Sequence, residues 1–126
     1  METTDVRRAL GRRGEDLAAD YLTGLGYRIV GRNWRCRSGE IDLIARAEQD
    51  GRTKIVFCEV KTRSGLGYGD PLESITYAKA RRLRLLAGLW LAENSEHAED
   101  VRIDAIGVLV RPGLRPEINH VQGIDG

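Results

Sequence analysis

The chain has 126 residues, of which 41% are hydrophobic and 31% charged, and its formal net charge is +1. This length is enough for one hydrophobic core, and we expect a single domain over residues 1–126. No stretch approaches the roughly 18 apolar residues of a membrane span, and the first residues lack the apolar region of a secretory signal, so we expect a cytoplasmic protein without a membrane partner. Cys36 and Cys58 form no CxxC pair, and with two histidines at unrelated spacings they argue against zinc.

The first predicted element is a helix over residues 4–25, whose apolar side chains recur at helical spacing and which Gly26 ends. Three predicted strands follow, with the sequences YRIVGRNWRC, EIDLIARA and KIVFCEVKT. Only the short turn QDG separates the second strand from the third. This turn predicts an antiparallel hairpin.

A second helix is predicted to begin at Asp70 and to run to about Asn94. Asp70 is suited to cap it, Pro71 fits the first helical position, and Glu73 completes the spacing of a capping box. The strand VRIDAIGVLV and a shorter fifth strand, EINHV, follow. The order α-β-β-β-α-β predicts an α/β fold, in which a mixed sheet is flanked by helices.

Charged residues occur inside the second and third strands, where apolar neighbours predict burial. Side chains alternate along a strand, so Glu59 and Lys61 share one face, and Glu40 and Asp42 share another. If the hairpin brings these faces together, the carboxylates repel each other, and a divalent cation removes that repulsion. Hard oxygen ligands suit Mg²⁺ or Mn²⁺. The alternative is that Glu40 and Asp42 lie at a strand end and pair with arginines.

The first helix supplies one more candidate acid. At 100° per residue, Glu15 lies at the edge of the apolar stripe, whereas Asp16 lies on the opposite side. Glu15 is therefore the acid that can reach inward, or else it pairs with Arg12 or Arg8 on its own helix.

In the second helix, Lys79 and Arg82 fall within the face that we predict to be apolar. They are candidates to reach over the sheet toward a phosphate. The alternative is that their aliphatic stems cover the core while their charged ends stay in water. Asp104 interrupts the fourth strand, and we expect it to be the buried partner of an arginine rather than a site residue.

The pattern of Asp42 followed by Glu59-Val60-Lys61 resembles the signature of the restriction-endonuclease-like, or PD-(D/E)xK, superfamily. The ordered segments RRGEDLAADYLTGLGYRIVGRNWR, GEIDLIA, VFCEVKTR, YGDPLESI and RIDAIGV resemble the uncharacterised bacterial YraN-like family over residues 11–110. The resemblance implies a restriction-endonuclease-like αβββαβ core, in which Asp42 and Glu59 hold the metal, Lys61 is the catalytic lysine and Glu15 is an auxiliary acid. Ile41 stands where the superfamily signature has proline, which weakens the motif.

The expected function is that of a Mg²⁺- or Mn²⁺-dependent endonuclease acting on DNA. Branched DNA is one expected substrate, because archaeal junction-resolving enzymes share this layout, and a homodimer is one way to supply the two sites that cutting a junction requires. The residues expected to contact phosphates are basic and are found on both helices: Arg12, Arg13, Lys79 and Arg82. The alternative is a protein that keeps the nuclease-like fold and binds nucleic acid without cutting it.

Overall fold

The computed structural model of the protein describes residues 2–65 and 71–126 and contains one five-stranded sheet flanked by two helices. The helices are α1 (Glu2–Gly24) and α2 (Tyr77–Glu93), and a 3-10 turn, Pro71–Ser74, precedes α2. The strands are β1 (Arg28–Cys36), β2 (Gly39–Gln49), β3 (Arg52–Arg63), β4 (Asp100–Leu109) and β5 (Glu117–Val121). The predicted α/β architecture and element order are confirmed, including the fifth strand.

The strands lie in the sheet in the same order as in the chain. Only β3 and β4 pair in parallel, and α2 provides the crossover between them. The predicted β2–β3 hairpin is confirmed, and its turn is formed by Asp50 and Gly51, whose φ angles of 55° and 76° suit a two-residue turn. Such a turn fixes the register of the two central strands.

The core has two layers because β2 and β3 are buried on both faces. Every residue in 41–45 and in 55–58 is buried. On one face, Ala18 and Leu22 of α1 pack against Leu43 and Val56. On the other face, apolar side chains of α2 pack against buried apolar residues of β2, β3 and β4, namely Ile41, Ile44, Ile55, Phe57 and Ile103.

The second helix begins later than predicted. Its N-cap is Thr76, whose hydroxyl accepts a hydrogen bond from the backbone N–H of Lys79 at 3.2 Å. The segment Pro71–Ser74 is a separate 3-10 turn, so the predicted start at residue 70 is wrong, and Asp70 itself lies outside the described residues. Across the described ranges, neither helix is both long and apolar enough to cross a membrane.

The separate turn has a packing reason. Pro71 is buried, and both Pro71 and Leu72 lie against Gly107 of β4, where an added Cβ would be 3.1 Å from Leu72 Cγ and 3.3 Å from Pro71 Cβ. This close contact fixes the direction of the turn on the sheet, and the chain then begins α2 in a new direction at a better capping residue.

Asp104 on β4 is fully buried, and its predicted pairing with an arginine is confirmed. The Arg102 guanidinium donates to both carboxylate oxygens, from Nε and Nη2, at 2.8 Å each. The backbone N–H of Gly123 donates to Oδ1 at 3.1 Å, and His120 Nε2 lies 2.7 Å from Oδ2. The Tyr21 hydroxyl lies 3.0 Å from the other ring nitrogen of His120, so this network ties β4, β5 and α1 together.

Candidate active site

The two neighbouring strands β2 and β3 separate from each other near the start of β2 and the end of β3. The β2–β3 ladder ends at the pair Leu43–Cys58, although β2 remains paired with β1 and β3 with β4 beyond it. Asp42 and Glu59 are the first residues past the last pair. We call this place the fork and define it by Asp42 and Glu59.

Asp42 is held at the fork by the backbone of the opposite strand. Its Oδ2 accepts a hydrogen bond from the N–H of Val60 at 2.8 Å. That N–H has no ladder partner on β2, so the carboxylate satisfies a backbone donor that burial would otherwise leave unpaired. The hydrogen bond fixes the position of a carboxylate that is only 9% exposed.

Glu59 and Lys61 lie beside Asp42 on the other branch of the fork. The Lys61 ammonium Nζ is 3.4 Å from Glu59 Oε1, and both side chains are about one quarter exposed. An acid and a base two residues apart on one strand face meet in this way because side chains alternate. The pair remains accessible to solvent and to a ligand.

The first helix brings Glu15 to the same place by a close contact with β3. At Gly14 an added Cβ would lie only 1.8 Å from Thr62 Oγ1, so no larger residue fits without a shift. This contact sets Glu15 over the fork, with its side chain 18% exposed. Asp16 points away, is 64% exposed and accepts a hydrogen bond from Arg32 at 2.7 Å. The helix register therefore matches the sequence interpretation of these two acids.

Asn33 of β1 was missed by the sequence analysis. Its Nδ2 donates to Glu15 Oε1 at 3.0 Å, and its φ of 50° lies in the left-handed region that asparagine tolerates better than most residues. The flanking pairs Arg32–Leu43 and Trp34–Ile41 place Asn33 opposite Asp42. An asparagine inside an otherwise strand-like segment was the only signal.

These side chains line a cavity of about 700 Å³, which is in the size range of small-molecule sites. Acidic and basic residues both contribute to the lining. The acids are Glu15, Glu40, Asp42 and Glu59, and the bases are Arg7, Lys61 and Arg63. The four residues predicted to act in the chemistry are therefore brought together.

The pKa of Asp42 is unusually high for an aspartate. Burial, followed by the negative charge of Glu59, raises the pKa of Asp42 from 3.8 to about 7. The hydrogen bond from Val60 acts in the opposite direction, and Glu15 and Glu40 raise the pKa further. A cation bound here would lower this pKa, because it favours the charged form of the carboxylate.

The donor set fits a hard divalent cation in its chemistry. Among residues 2–65 and 71–126, no three His, Cys, Asp or Glu side chains are grouped as ready ligands of one metal ion. Mg²⁺ does not need such a group, since it is commonly bound by one or two carboxylates and completes its shell with water and substrate phosphate oxygens. Asp42 and Glu59 would be those two carboxylates.

Arg12 and Arg13 do not line this cavity. Both are exposed on α1 and border a different depression together with Asp16 and Asp20. The structure therefore brings neither arginine into the fork cavity.

Lys79 and Arg82 are exposed as well, so the prediction that they belong to the buried face of α2 is wrong. The buried side chains of α2 are Ala80, Leu83, Leu86, Ala87 and Trp90. Lys79 Nζ donates to the Ser74 carbonyl at 3.3 Å, and Arg82 lies along a groove on the outer side of the helix. Because α2 covers the face opposite α1, neither residue lines the fork cavity.

Arg7 and Arg63 are cations of the cavity that the sequence analysis missed. Spacing could have found both. Arg7, Gly11 and Glu15 are four residues apart and so share one side of α1. Arg63 follows Glu59 and Lys61 at every second position of β3.

Comparison with known proteins adds a family to this geometry. The uncharacterised protein family UPF0102 matches residues 14–108, which is most of the chain and includes Glu15, Asp42, Glu59 and Lys61. The chain belongs to the UPF0102 family. The predicted YraN-like family is thereby confirmed.

UPF0102 proteins of actinobacteria are similar over almost their whole length. A UPF0102 protein of Mycobacterium tuberculosis strain H37Rv is 56% identical over 124 residues, covering 96% of this chain and 95% of the relative. One from Rhodococcus opacus strain B4 is 55% identical over 114 residues, with 90% and 93% covered. One from Mycobacterium avium strain 104 is 53% identical over 123 residues, with 98% and 94% covered. The UPF0102 family is uncharacterised, so an activity has to be argued from the site.

Proposed function

We propose that this protein is a Mg²⁺- or Mn²⁺-dependent endonuclease that hydrolyses phosphodiester bonds in DNA. The observation that carries the proposal is the fork, where two strands separate and hold Asp42 and Glu59 beside Lys61. Structural ion pairs are expected to neutralise buried acids, and Glu15, Glu40 and Glu59 each have a cation at 3.9 Å or closer. Asp42, the most buried of the four acids, forms no ion pair with a described residue. The order of helices and strands and the Glu-x-Lys spacing support the resemblance to restriction-endonuclease-like enzymes.

Asp42 and Glu59 would hold the metal ion. When bound, the ion would polarise a phosphate oxygen and favour ionisation of a water molecule. The fork suits this role because Asp42 is fixed through its Oδ2 by Val60, which leaves Oδ1 as the ligand atom.

Lys61 would act on the reacting atoms. In hydrolysis, a water oxygen forms a bond to phosphorus while the bond from phosphorus to one ester oxygen breaks, and negative charge builds up on the phosphate. The ammonium of Lys61 orients the water and balances this charge. Its ion pair with Glu59, at 3.4 Å, places it within the cavity before substrate arrives.

Glu15 would be an auxiliary acid, held by Asn33 and facing the same cavity. Arg7 and Arg63 at the cavity would contact phosphates next to the one that is cut. Phosphate contacts farther from the chemistry would come from exposed cations on the two helices, namely Arg12, Arg13 and Lys79.

A second candidate is a nucleic-acid-binding protein that keeps this fold and does not cut. Arg12 and Arg13 favour it, because they are exposed basic residues that lie outside the fork cavity. The two candidates differ in one requirement, since cleavage needs the metal and Asp42, whereas binding through basic side chains needs neither and weakens with salt.

The test begins with calorimetric titration of Mn²⁺ into the wild type and Asp42→Ala. Cleavage is then measured on supercoiled, linear, single-stranded and branched DNA with Mg²⁺, Mn²⁺ or a chelator. We expect Asp42→Ala and Lys61→Ala to abolish metal-dependent cleavage. Lys54→Ala is the matched control, because Lys54 lies on the same strand but outside the cavity.

Cleavage that persists in both variants at the wild-type rate would refute the proposal. DNA binding without cleavage, unchanged in Asp42→Ala and insensitive to chelator, would establish the second candidate instead. Sedimentation of the protein with branched DNA would test the predicted homodimer.

A further inference from the structure

The outer side of α2 exposes two large apolar side chains that the catalytic proposal does not use. Leu85 is 72% exposed, more than any other large hydrophobic residue in the described ranges, and Leu89 is 49% exposed. They are one helical turn apart and therefore adjacent on the helix surface. Large apolar groups that adjoin on a surface and are rimmed by polar residues are typical of protein contact sites.

Gly88 lies between the two leucines in the sequence, and packing inside the protein does not explain why this residue is glycine. A Cβ at this position would have no heavy atom within 4 Å, so close packing inside the protein does not require glycine. Glycine also weakens the interior of a helix relative to alanine. The position is exposed next to Leu85, one helical turn along the surface, and glycine there lets another molecule come close to the helix backbone.

Two arginines lie beside the exposed leucines. Arg37 and Arg82 line a groove of about 560 Å³ together with Leu85 and Leu89, and neither arginine forms an ion pair with any described residue. We call Arg37, Arg82, Leu85, Gly88 and Leu89 the α2 patch.

A second groove continues from the α2 patch along the helix. It has a volume of about 430 Å³ and is lined by Arg81, Arg82, Arg84 and Leu85. Arg84 is already paired with Asp125 at 2.6 Å, and the Arg81 guanidinium lies 5.9 Å from the centre of the Tyr77 ring. Positive charge at the α2 patch thus extends along the helix and is only partly neutralised.

We propose that the α2 patch binds an acidic protein segment, in which a large apolar side chain enters the groove beside Leu85 and Leu89 and flanking carboxylates pair with Arg37 and Arg82. The grooves supply both requirements, an apolar centre and a rim of unpaired cations. Arginine rims pair well with carboxylates because the guanidinium can donate two parallel hydrogen bonds. The α2 patch shares no residue with the fork cavity, so this site is separate from the proposed catalytic centre.

Two other occupants fit the α2 patch less well. A second copy of this chain, placed across a two-fold axis, would bring the arginines of one α2 against those of the other, which costs energy. A nucleic acid backbone would satisfy the arginines, but it offers no apolar group to Leu85, the most exposed leucine of the set.

The probe is a fluorescent peptide of about 18 residues, long enough to form a helix, that is rich in glutamate and carries two leucines four residues apart. A peptide of the same composition with its leucines on opposite sides is the matched control. Anisotropy is measured against the wild type, Leu85→Ser, Gly88→Gln and Arg82→Glu. Leu114→Ser is the control variant, because Leu114 is 58% exposed and lies away from the α2 patch.

We expect the first peptide to bind and the second to bind more weakly. Leu85→Ser, Gly88→Gln and Arg82→Glu should each weaken binding by roughly tenfold or more, as truncations at the centre of an interface do. Leu114→Ser should bind like the wild type. Gly88→Gln is informative because it adds bulk next to Leu85 at an exposed helix position where nothing inside the protein has to move.

Three results would overturn the proposal. The first is no peptide binding, or binding that Leu85→Ser leaves unchanged. The second is duplex DNA that competes with the peptide and depends on Arg82 but not on Leu85, which would assign the surface to nucleic acid. The third is self-association of the wild type that Leu85→Ser abolishes, which would assign it to a second copy of the chain.

Discussion

Asp42 and Asp104 are two buried aspartates on central strands, and their surroundings are opposite. Asp104 is 0% exposed and meets a guanidinium, an imidazole and a backbone N–H. Asp42 is 9% exposed and receives one backbone N–H, while Glu59, Glu15 and Glu40 surround it. The protein neutralises one buried acid completely and leaves the other among like charges.

The pKa values express this contrast. Burial alone would raise the pKa of Asp104, but hydrogen bonds from His120, Arg102 and Gly123 outweigh it, and the pKa is lowered. At Asp42, burial and Glu59 prevail, and the pKa rises to about 7. Perturbed acids in a cavity are candidates for function, whereas fully paired acids are candidates for structure.

The largest expected effect comes from removing the paired acid. Asp104→Ala leaves the Arg102 and His120 side chains partly or fully buried without their partner, and we expect a loss of about 3–5 kcal/mol in the free energy of unfolding. Asp42→Asn, by contrast, should be neutral or stabilising in metal-free protein above neutral pH. Urea unfolding of both variants measures the difference, and equal losses in the two would remove the contrast.

The second effect is on the pH dependence of stability. Because the pKa of Asp42 is raised in the folded state, its contribution to stability is present at acidic pH and is lost as pH rises through about 7. A rise from 3.8 to about 7 corresponds to a loss on the order of 4 kcal/mol. Asp104 has a lowered pKa, so its contribution is lost at the acidic end, as pH falls below the usual range of aspartate.

Unfolding of metal-free protein from about pH 3 to about pH 9 separates these contributions. Asp42→Asn should flatten the decline in stability between about pH 4 and about pH 7 and leave the acid limb unchanged. A wild-type curve that is level between about pH 4 and about pH 7 would show that Asp42 titrates normally.

A smaller effect is expected where α1 meets β3. Gly14→Ala places a methyl group against Thr62 and should cost about 1–3 kcal/mol, because overpacking forces the helix away from the strand. Gly11→Ala, one turn earlier, meets nothing within 4 Å and should stabilise the helix by roughly 1 kcal/mol. Thermal unfolding should therefore shift in opposite directions for the two variants, and shifts in the same direction would argue against the tight contact at Gly14.

The smallest effect is expected at Asn33. Asn33→Gly keeps the left-handed backbone and loses only the hydrogen bond to Glu15, at about 1 kcal/mol. Asn33→Ala adds the cost of that backbone conformation, roughly 1–2 kcal/mol more. The order of the two unfolding free energies tests the assignment, and an alanine variant as stable as the glycine variant would contradict the strained backbone.

Much of the fold and part of the site followed from the sequence. Alternation along β2 and β3 and the short turn QDG predicted the hairpin, and helical spacing separated Glu15 from Asp16. Those patterns are local, and local geometry determines them. The place where the β2–β3 ladder ends is not local, because it depends on how β1 and β4 hold each strand on its other edge.

The orientation of α2 could not be predicted for a different reason. Leucines at positions 83, 85, 86 and 89 span about 160° of the helix circumference, wider than the buried stripe, so spacing alone does not decide which of them are buried. Packing decides it, since Trp90 meets Phe57 edge to face at a ring distance of 5.6 Å. Lys79 and Arg82 are consequently turned outward, and the exposed Leu85 and Leu89 become part of the α2 patch.

The network around Asp104 also sets an order of events during synthesis. Chains emerge from the ribosome N-terminal end first. Arg102 emerges together with Asp104, but His120 and Gly123 follow only after β5 begins to form. A nascent chain halted before residue 120 would contain the β2–β3 hairpin and the fork, but Asp104 on β4 would lack its hydrogen bonds to His120 and Gly123. We therefore expect protease resistance of stalled chains to rise abruptly when His120 and Gly123 become free to pair.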